Sequence, residues 1–308
     1  MKILKPKFWN IKLNLYSIFL FPLSLIFIIL VFLKKKFSFE KKLNISVICV
    51  GNVYVGGTGK TPLSIFIADQ LKDKKKTAIV KKYYKNQIDE CELVRSNSCS
   101  LIVNNKRRLA IEEAKNRNFN LVILDDGFQD HSIAKNLNII CFNSKQLDGN
   151  SMVFPSGPLR EPMSCLKRAH IVIINGEKNL AFEKKILSIS SEIKIYYSNY
   201  SPTNINQFKS KKLFAFAGIG NPENFFDTLK IHNLDIQKKI AFPDHYKFDK
   251  SELIDMISEA EKKEFELITT EKDFHRIKNY GFKDIKYLKL KLEIKQKDKL
   301  MSQILSYL

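Results

Sequence analysis

The residues with the clearest chemistry lie in one glycine-rich segment, residues 45–62, which reads ISVICVGNVYVGGTGKTP. Glycine allows backbone conformations that side chains exclude, so successive N–H groups of such a loop can point at phosphate oxygens. Lys60 is spaced to reach the β- and γ-phosphates, and Thr61 to offer its hydroxyl to Mg²⁺. The segment predicts a nucleotide triphosphate site formed by Val55, Gly56, Gly57, Thr58, Gly59, Lys60, Thr61 and Pro62.

This loop departs from the usual phosphate-binding pattern at one position. The pattern GxxxxGK[ST] asks for glycine where the chain has Tyr54. A glycine-rich turn that binds nothing is the alternative interpretation. An apolar strand before the loop and an amphipathic helix over residues 63–71 favour the phosphate site, because the positive end of that helix would face the anion. Pro62 suits a first helical turn, whose N–H groups have no helical partners.

A second chemical motif, LVILDDGFQ, occupies residues 121–129. Apolar residues that deliver carboxylates at the end of a strand resemble a Walker B element, where one aspartate holds Mg²⁺ directly or through water. Adjacent side chains of an extended strand point to opposite faces, so a turn must begin at Asp125 and Asp126. An Asp-Gly turn without metal is the alternative. Beside a phosphate-binding loop we predict metal ligation by Thr61 with Asp125 or Asp126, and leave open which aspartate contacts the metal.

Composition limits the class of protein. The chain has 308 residues, of which 44% are hydrophobic, and this content excludes a wholly disordered protein. Its net charge of +20 suits nucleic acid, an anionic membrane or an acidic substrate. No basic run is interleaved with aromatic residues, so we predict no nucleic-acid partner. The five cysteines are scattered without a CxxC pair, which favours reduced thiols over disulfides or a metal site.

The N-terminal segment, residues 15–33, contains 19 residues without a charge and is flanked by lysines on both sides. As a helix it would be about 28 Å long, close to the thickness of a bilayer core. Its apolar core is long for a cleaved signal peptide and no small-residue cleavage site follows, while a buried soluble helix is a weaker alternative. We predict membrane attachment. Lysines on both sides and Pro22 leave open whether the helix spans the bilayer or lies at its interface.

The remaining pattern predicts an α/β fold. Apolar runs suited to buried parallel strands occur at residues 45–50, 77–80, 121–124, 137–142 and 171–175, with helical segments between several of them. A polar stretch at residues 196–212 predicts a linker or interdomain ribbon, and a strand at 213–217 opens a second unit. We predict a P-loop NTPase-like sandwich with a second, smaller α/β unit. The predicted boundaries are 1–36 for the membrane helix, 37–200 for the P-loop core and 201–308 for the second unit.

The chain lacks the residues that are diagnostic of several classes of P-loop protein. A membrane-binding partition or septum-site ATPase would carry a second lysine where the chain has Val55. The guanine-binding pattern NKxD of GTPases is absent, since TEKD at residues 270–273 has the wrong spacing. The absence of these diagnostic residues favours a small-molecule or lipid kinase. A membrane-tethered switch ATPase that acts on a protein partner remains the alternative.

Four further segments make a resemblance specific: GNSMVFPSGPLREP at residues 149–162, AFAGIGNP at 215–222, FPDHY at 242–246 and TTEKD at 269–273. In this order, after the two motifs above, the chain resembles the tetraacyldisaccharide 4'-kinases of Gram-negative bacteria, the lipid A 4'-kinase family. The resemblance implies that ATP phosphorylates the 4'-hydroxyl of a tetraacylated glucosamine disaccharide 1-phosphate and gives lipid IVA. It implies the cytoplasmic face of the inner membrane, with membrane lipids and the lipid disaccharide as partners, and no required protein partner.

The same resemblance assigns residues. Lys60 is expected to stabilise the migrating phosphoryl group, and Asp89 and His245 are expected to form a dyad that removes the hydroxyl proton and orients or charges the proton acceptor. Phosphate or substrate contacts are expected from Arg160, Glu161 and Gln129, with a structural salt bridge as the alternative for the first two.

The chain departs from the family pattern in two places. The family has histidine directly after DDGFQ, whereas Asp130 precedes His131 here. Residues 80–84 read VKKYY where the family reads SRGYG. Lysine at position 81 keeps the charge of arginine but not its bidentate fork, so a reshaped loop is expected.

Overall fold

The computed structural model describes residues 6–84, 88–244 and 246–308. These residues form two compact units. The large unit contains residues 6–83, 98–199 and 292–308, and the small unit contains residues 84, 88–97, 200–244 and 246–291. The predicted boundary at 200 lies one residue from the division between residues 199 and 200, whereas the predicted boundary at 36 lies within the large unit. The apolar N-terminal helix groups with the large unit, and residues 84 and 88–97 group with the small one. Within the described residues, the chain passes between the units four times.

The elements alternate along the chain. The strands are β1 Ser46–Gly51, β2 Thr77–Lys82, β3 Leu101–Asn104, β4 Leu121–Asp125, β5 Leu137–Asn143, β6 Ile171–Asn175, β7 Lys194–Pro202, β8 Lys212–Ala217, β9 Asp235–Ala241, β10 Glu266–Thr270, β11 Ile285–Leu288 and β12 Leu290–Ile294. The α-helices are α1 Leu15–Lys36, α2 Lys60–Leu71, α3 Ile88–Ser96, α4 Arg107–Asn116, α5 Leu180–Ile189, α6 Pro222–Ile231, α7 Lys250–Lys262, α8 Glu271–Ile277 and α9 Lys297–Leu305. The predicted α/β class is confirmed.

The large unit is organised by an eight-stranded sheet in the order β12-β7-β6-β5-β1-β4-β2-β3. Its central strands pair in parallel, with Val50 of β1 and Lys81 of β2 both opposite Asp125 of β4. Residues of β1 and β4 are buried on both faces, as expected for β-branched runs in a parallel sheet covered by helices. Parallel strands bring their carboxyl ends to one edge, so the segments after β1, β2 and β4 meet there.

Helix α1 is fixed to the large unit along one face. Ser17 and Ser24, two turns apart, are buried. Ser24 donates to the carbonyl oxygen of Val153 at 2.8 Å, and Asn150 donates to the hydroxyl of Ser17 at 3.1 Å. The other faces carry exposed apolar side chains. The helix has a mean hydropathy of 2.7 and is 11% buried, which makes it long and apolar enough to cross a membrane by length and composition.

The small unit has a four-stranded parallel sheet in the order β11-β10-β8-β9. Phe214 and Phe216 of β8 share one face of the sheet, Phe226 of α6 packs on the other face, and all three are fully buried. Helices α6 and α7 cover the sheet through these aromatic residues. The unit is therefore an α/β layer structure with its own core, as predicted for the second unit.

One predicted element differs from the structure. The expected linker at residues 196–212 begins as a strand, since β7 pairs in parallel with β6 from Lys194 opposite Ile171 to Ser198 opposite Asn175. Tyr196 is buried on this strand and Tyr197 donates from its hydroxyl to Glu183. Tyrosine is common in strands because it suits a pleated, half-buried surface. The many polar residues around these tyrosines led to the prediction of a linker instead of a strand.

Candidate active site

The phosphate-binding segment forms a tight loop between β1 and α2. Gly56 and Gly59 have φ of 112° and 91°, values that side-chain-bearing residues rarely adopt. Gly59 is the N-cap of α2, so the helix begins at Lys60 with its free N–H groups at the loop. Gly57 behaves differently: its φ is not positive, and a Cβ built there meets no atom within 4 Å.

Asn52 connects the loop internally. Its side-chain amide donates to the carbonyl oxygens of Tyr54 and Gly56 at 2.6 and 3.1 Å, and to the hydroxyl of Thr58 at 3.0 Å. The backbone carbonyl oxygen of Asn52 accepts a hydrogen bond from Nε2 of Gln129 at 3.0 Å. Asn52 is fully buried, so it holds the loop against the turn after β4 without access to solvent.

Thr61 and Asp125 meet at the carboxyl edge of the sheet. The Thr61 hydroxyl donates to Oδ2 of Asp125 at 2.7 Å, and both residues are buried. Oδ1 of Asp125 is buried and has no hydrogen-bond partner among the described residues. A buried carboxylate oxygen without a partner is costly, and oxygen ligands are those that Mg²⁺ prefers. The residues present therefore fit a magnesium ion at this position.

Asp126 faces a different set of groups. It has φ of 62°, so the chain turns here and the two aspartates diverge. Its carboxylate lies 2.8 Å from Arg160 and 3.8 Å from Nζ of Lys60. Burial by itself would raise the pKa of Asp126, but the charges of Lys60 and Arg160 outweigh it and hold the pKa below its ordinary value. Asp126 is therefore a carboxylate that orients two cations at the mouth of the loop.

Arg107 closes the turn after β4 from the other side. Its guanidinium donates to the carbonyl oxygen of Asp126 at 2.6 Å and lies 3.5 Å from the carboxylate of Asp130. Arg160 is fixed through its backbone, since its N–H donates to the carbonyl oxygen of Val53 at 2.7 Å. Lys60, Arg107 and Arg160 thus form a positive cluster that suits phosphate oxygens.

In the small unit, Asp89 of α3 lies against two cations of α8. Nε and Nη2 of Arg276 both donate to Oδ2 of Asp89, at 3.1 and 2.6 Å. Nζ of Lys272 lies 3.6 Å from the same oxygen and 3.1 Å from Glu90. Asp89 is 3% exposed, so these charges stabilise its buried carboxylate.

Comparison with known proteins identifies the family of this chain. A family model described as Tetraacyldisaccharide-1-P 4'-kinase matches residues 16–308. The chain belongs to this family. A tetraacyldisaccharide 4'-kinase of Pelagibacter ubique (strain HTCC1062) is 39% identical over 310 residues, which cover 99% of this chain and 98% of that protein. One of Rickettsia bellii (strain OSU 85-389) is 33% identical over 293 residues, with 90% of each chain covered.

A solved structure shares the fold. LpxK from Aquifex aeolicus, in complex with ATP, superposes with a TM-score of 0.74 at 24% identity and covers 94% of this chain and 99% of that one. The family model and the relatives confirm the family named from the sequence, and with it the kinase class. Between the two functions predicted from the sequence, the family match supports the kinase over the switch ATPase.

The structure brings together most of the residues predicted for the site. Those that meet in the large unit are Lys60, Thr61, Asp125, Asp126, Gln129 and Arg160. Asp89 belongs to the small unit. His245, the other member of the predicted dyad, lies outside the described residues, so the dyad stays a prediction.

Glu161 has the salt bridge that was weighed as the alternative to a phosphate contact. Its Oε2 accepts from Arg168 at 2.6 Å, and the guanidinium of Arg168 lies 4.3 Å from the ring centre of Phe128 and 3.0 Å from Nδ1 of His131. Glu161 is 5% exposed and turned toward this cluster, whereas Arg160 turns toward Asp126. Adjacent residues of one loop thus contact different groups.

Sequence reasoning missed Asn52, and it treated Lys81 only as a replacement for the family's arginine without predicting its contact with Asp125. Lys81 is buried at the end of β2 with its ammonium on Asp125. Lys81 could have been recognised because it ends an apolar strand. A lysine that is buried there, in a central strand, needs a partner of opposite charge. For Asn52 it was a short amide in the loop after β1, a type that bonds to nearby backbone.

Proposed function

We propose that this chain transfers the γ-phosphoryl group of ATP to the 4'-hydroxyl of a tetraacyldisaccharide 1-phosphate and gives lipid IVA. The observation that carries the proposal is the contact of Thr61 with Asp125 beside a glycine-rich loop, in a chain that the family matches over residues 16–308. Phosphoryl transfer needs positioning and charge neutralisation more than covalent chemistry, and these residues can supply both.

The nucleotide is proposed to bind at residues 55–62. Gly56 and Gly59 turn the backbone so that the N–H groups of α2 face the loop. Lys60 and Arg160 rest on Asp126 in the structure and would exchange that carboxylate for phosphate oxygens. Two cations already oriented by one carboxylate lose little freedom when the anion binds.

Magnesium is proposed to bind at Thr61 and Asp125. Of the two adjacent aspartates, Asp125 has the threonine contact and a buried Oδ1 without a hydrogen-bond partner among the described residues, and Lys81 contacts only its other oxygen. Asp126 is engaged by Lys60 and Arg160. The ion would neutralise charge on the transferred phosphoryl group. We therefore assign Asp125, not Asp126, as the metal-contacting carboxylate.

Proton removal from the acceptor hydroxyl is proposed for Asp89 with His245. The contacts of Asp89 with Arg276 and Lys272 hold its carboxylate in place, where it would orient the histidine and stabilise its positive charge. Glu90 would share Lys272 with it and help fix α3 on α8.

Membrane attachment is proposed to occur through α1 lying at the interface. Ser24, near the middle of the helix, is bonded to Val153 and Ser156, and Phe27 packs edge-on against Phe154 at 5.7 Å. A spanning helix would carry this polar loop into the hydrocarbon core, where backbone groups have no water to bond. We assign α1 to the cytoplasmic leaflet of the inner membrane, with its exposed apolar faces in lipid.

The test is transfer of labelled γ-phosphate to tetraacyldisaccharide 1-phosphate in detergent micelles with Mg²⁺. We expect labelled lipid with the intact protein and almost none with Lys60→Ala or His245→Ala. The matched controls are Lys74→Ala and His232→Ala, which change exposed residues outside the site and should leave transfer unchanged. A folded intact protein that releases free phosphate but never labels the lipid would overturn the proposal in favour of a switch ATPase.

A further inference from the structure

Lys81 is a buried cation placed on the two residues assigned to magnesium. It ends the buried part of β2 directly opposite Asp125 of β4, and its side chain is 3% exposed. The ammonium group contacts Oδ2 of Asp125 and lies 3.3 Å from the hydroxyl of Thr61, which itself donates to that same oxygen. Ammonium, hydroxyl and carboxylate therefore converge on one point at the carboxyl edge of the sheet.

This arrangement neutralises Asp125 without a metal. An isolated carboxylate is costly to bury, and an ammonium at contact distance offsets most of that cost. The same ammonium opposes a divalent cation at Asp125 and Thr61, because like charges a few ångströms apart repel strongly in a site shielded from water.

We propose that Lys81 is a resident counter-cation that guards the magnesium site. It keeps Asp125 and Thr61 occupied in the nucleotide-free protein and lowers the affinity of the site for divalent ions alone. The phosphates of ATP bring the negative charge that offsets the added positive charge, so metal and nucleotide enter together. Lysine suits this role because its ammonium is a point charge on a flexible stem that can withdraw, whereas arginine would hold a fixed fork. The inference rests on the proposed magnesium role of Thr61 and Asp125.

The experiment measures Mn²⁺ binding to the full chain in detergent without nucleotide, by the electron paramagnetic resonance signal of free Mn²⁺. Lys81→Gln keeps hydrogen-bonding capacity without charge, and Lys81→Met removes both; thermal unfolding identifies which of them folds. We expect the folded neutral variants to bind Mn²⁺ at least about tenfold more tightly than the unchanged protein, since one repulsive charge is gone. Lys82→Met, on the opposite face of the same strand, should bind as the unchanged protein does.

A double variant separates this inference from the function on which it rests. Lys81→Gln with Asp125→Asn should lose the gained affinity if the ion sits at Asp125. If the gain persists in the double variant, the ion binds elsewhere, and both the proposed magnesium site and the role of Lys81 fail. If the folded neutral variants gain no affinity while lipid phosphorylation still depends on Asp125, the guarding role alone is overturned and the proposed function stands.

Discussion

The guanidinium of Arg276 holds the carboxylate of Asp89 with two nitrogens on one oxygen, although 187 residues separate them in the chain. The same guanidinium donates to the carbonyl oxygen of Gly218 at 2.7 Å and to Asp273 at 2.5 Å. One side chain thus ties α3, the turn after β8 and α8 together. This contact fixes Asp89 on the small unit and supplies the positive charge that its burial requires.

Replacement of Arg276 should therefore affect the chemistry of the lipid acceptor and not the binding of ATP. We expect Arg276→Met to lower the rate of lipid phosphorylation by about tenfold to a hundredfold, because a displaced acid-base group costs that much. The Michaelis constant for ATP should stay the same, and Arg276→Lys should recover part of the rate. Steady-state kinetics of lipid labelling would measure both constants.

The control for this variant lies on the same helix as Asp89. Arg95→Met removes an exposed cation whose partner is Glu92 at 2.7 Å on the surface. Because exposed ion pairs contribute little, we expect unchanged kinetics. An unchanged transfer rate in a folded Arg276→Met protein would contradict the positioning of Asp89 by Arg276.

The two glycines on either side of Thr58 should respond differently to alanine. Gly59 has φ of 91°, so Gly59→Ala should lower the free energy of unfolding by about 1–3 kcal/mol, the cost of a strained backbone. Gly57 has no positive φ and open space around it, so Gly57→Ala should leave stability unchanged. Chemical denaturation would compare them. If Gly57→Ala unfolds as readily as Gly59→Ala, the loop conformation described here is contradicted.

His131 should make stability depend on pH. Burial and the charge of Arg168 lower its pKa from 6.5 to about 4. Between these two pH values His131 is protonated in the unfolded chain but not in the folded chain. The free energy of unfolding therefore decreases as the pH falls from about 6.5 toward 4. His131→Gln should flatten this dependence by on the order of 1 kcal/mol, a figure discounted because the side chain is only half-buried.

The control for the pH experiment is His232, an exposed histidine of the small unit. His232→Gln should reproduce the pH dependence of the unchanged protein. Asp126 and Asp130, whose pKa values are lowered, titrate in all three proteins and leave a common loss of stability at lower pH. Parallel curves for His131→Gln and the unchanged protein between pH 6.5 and 4 would show that His131 does not carry the effect.

The sequence was sufficient for the part of the site that local pattern and sheet geometry determine. A loop between a strand and a helix, and an aspartate at the end of a second apolar strand, must meet if the two strands are parallel neighbours, as Thr61 and Asp125 do. The partners of Asp89 could not be predicted, because no periodicity connects α3 with α8 across almost two hundred residues. Lys81 was similarly hidden, since its contact with Asp125 depends on the register of β2 against β4.

The interfacial position proposed for α1 predicts that both of its ends face the cytoplasm. The helix is about 33 Å long, enough to span a bilayer, so topology must be measured rather than judged from length. In a Cys91→Ser/Cys99→Ser background, Lys12→Cys and Lys36→Cys should both react with an impermeant maleimide on inverted inner-membrane vesicles without detergent. Lys74→Cys, exposed on the same unit, is the positive control. Protection of Lys12→Cys until the vesicles are permeabilised would contradict the interfacial position, because a spanning helix places its two ends on opposite sides.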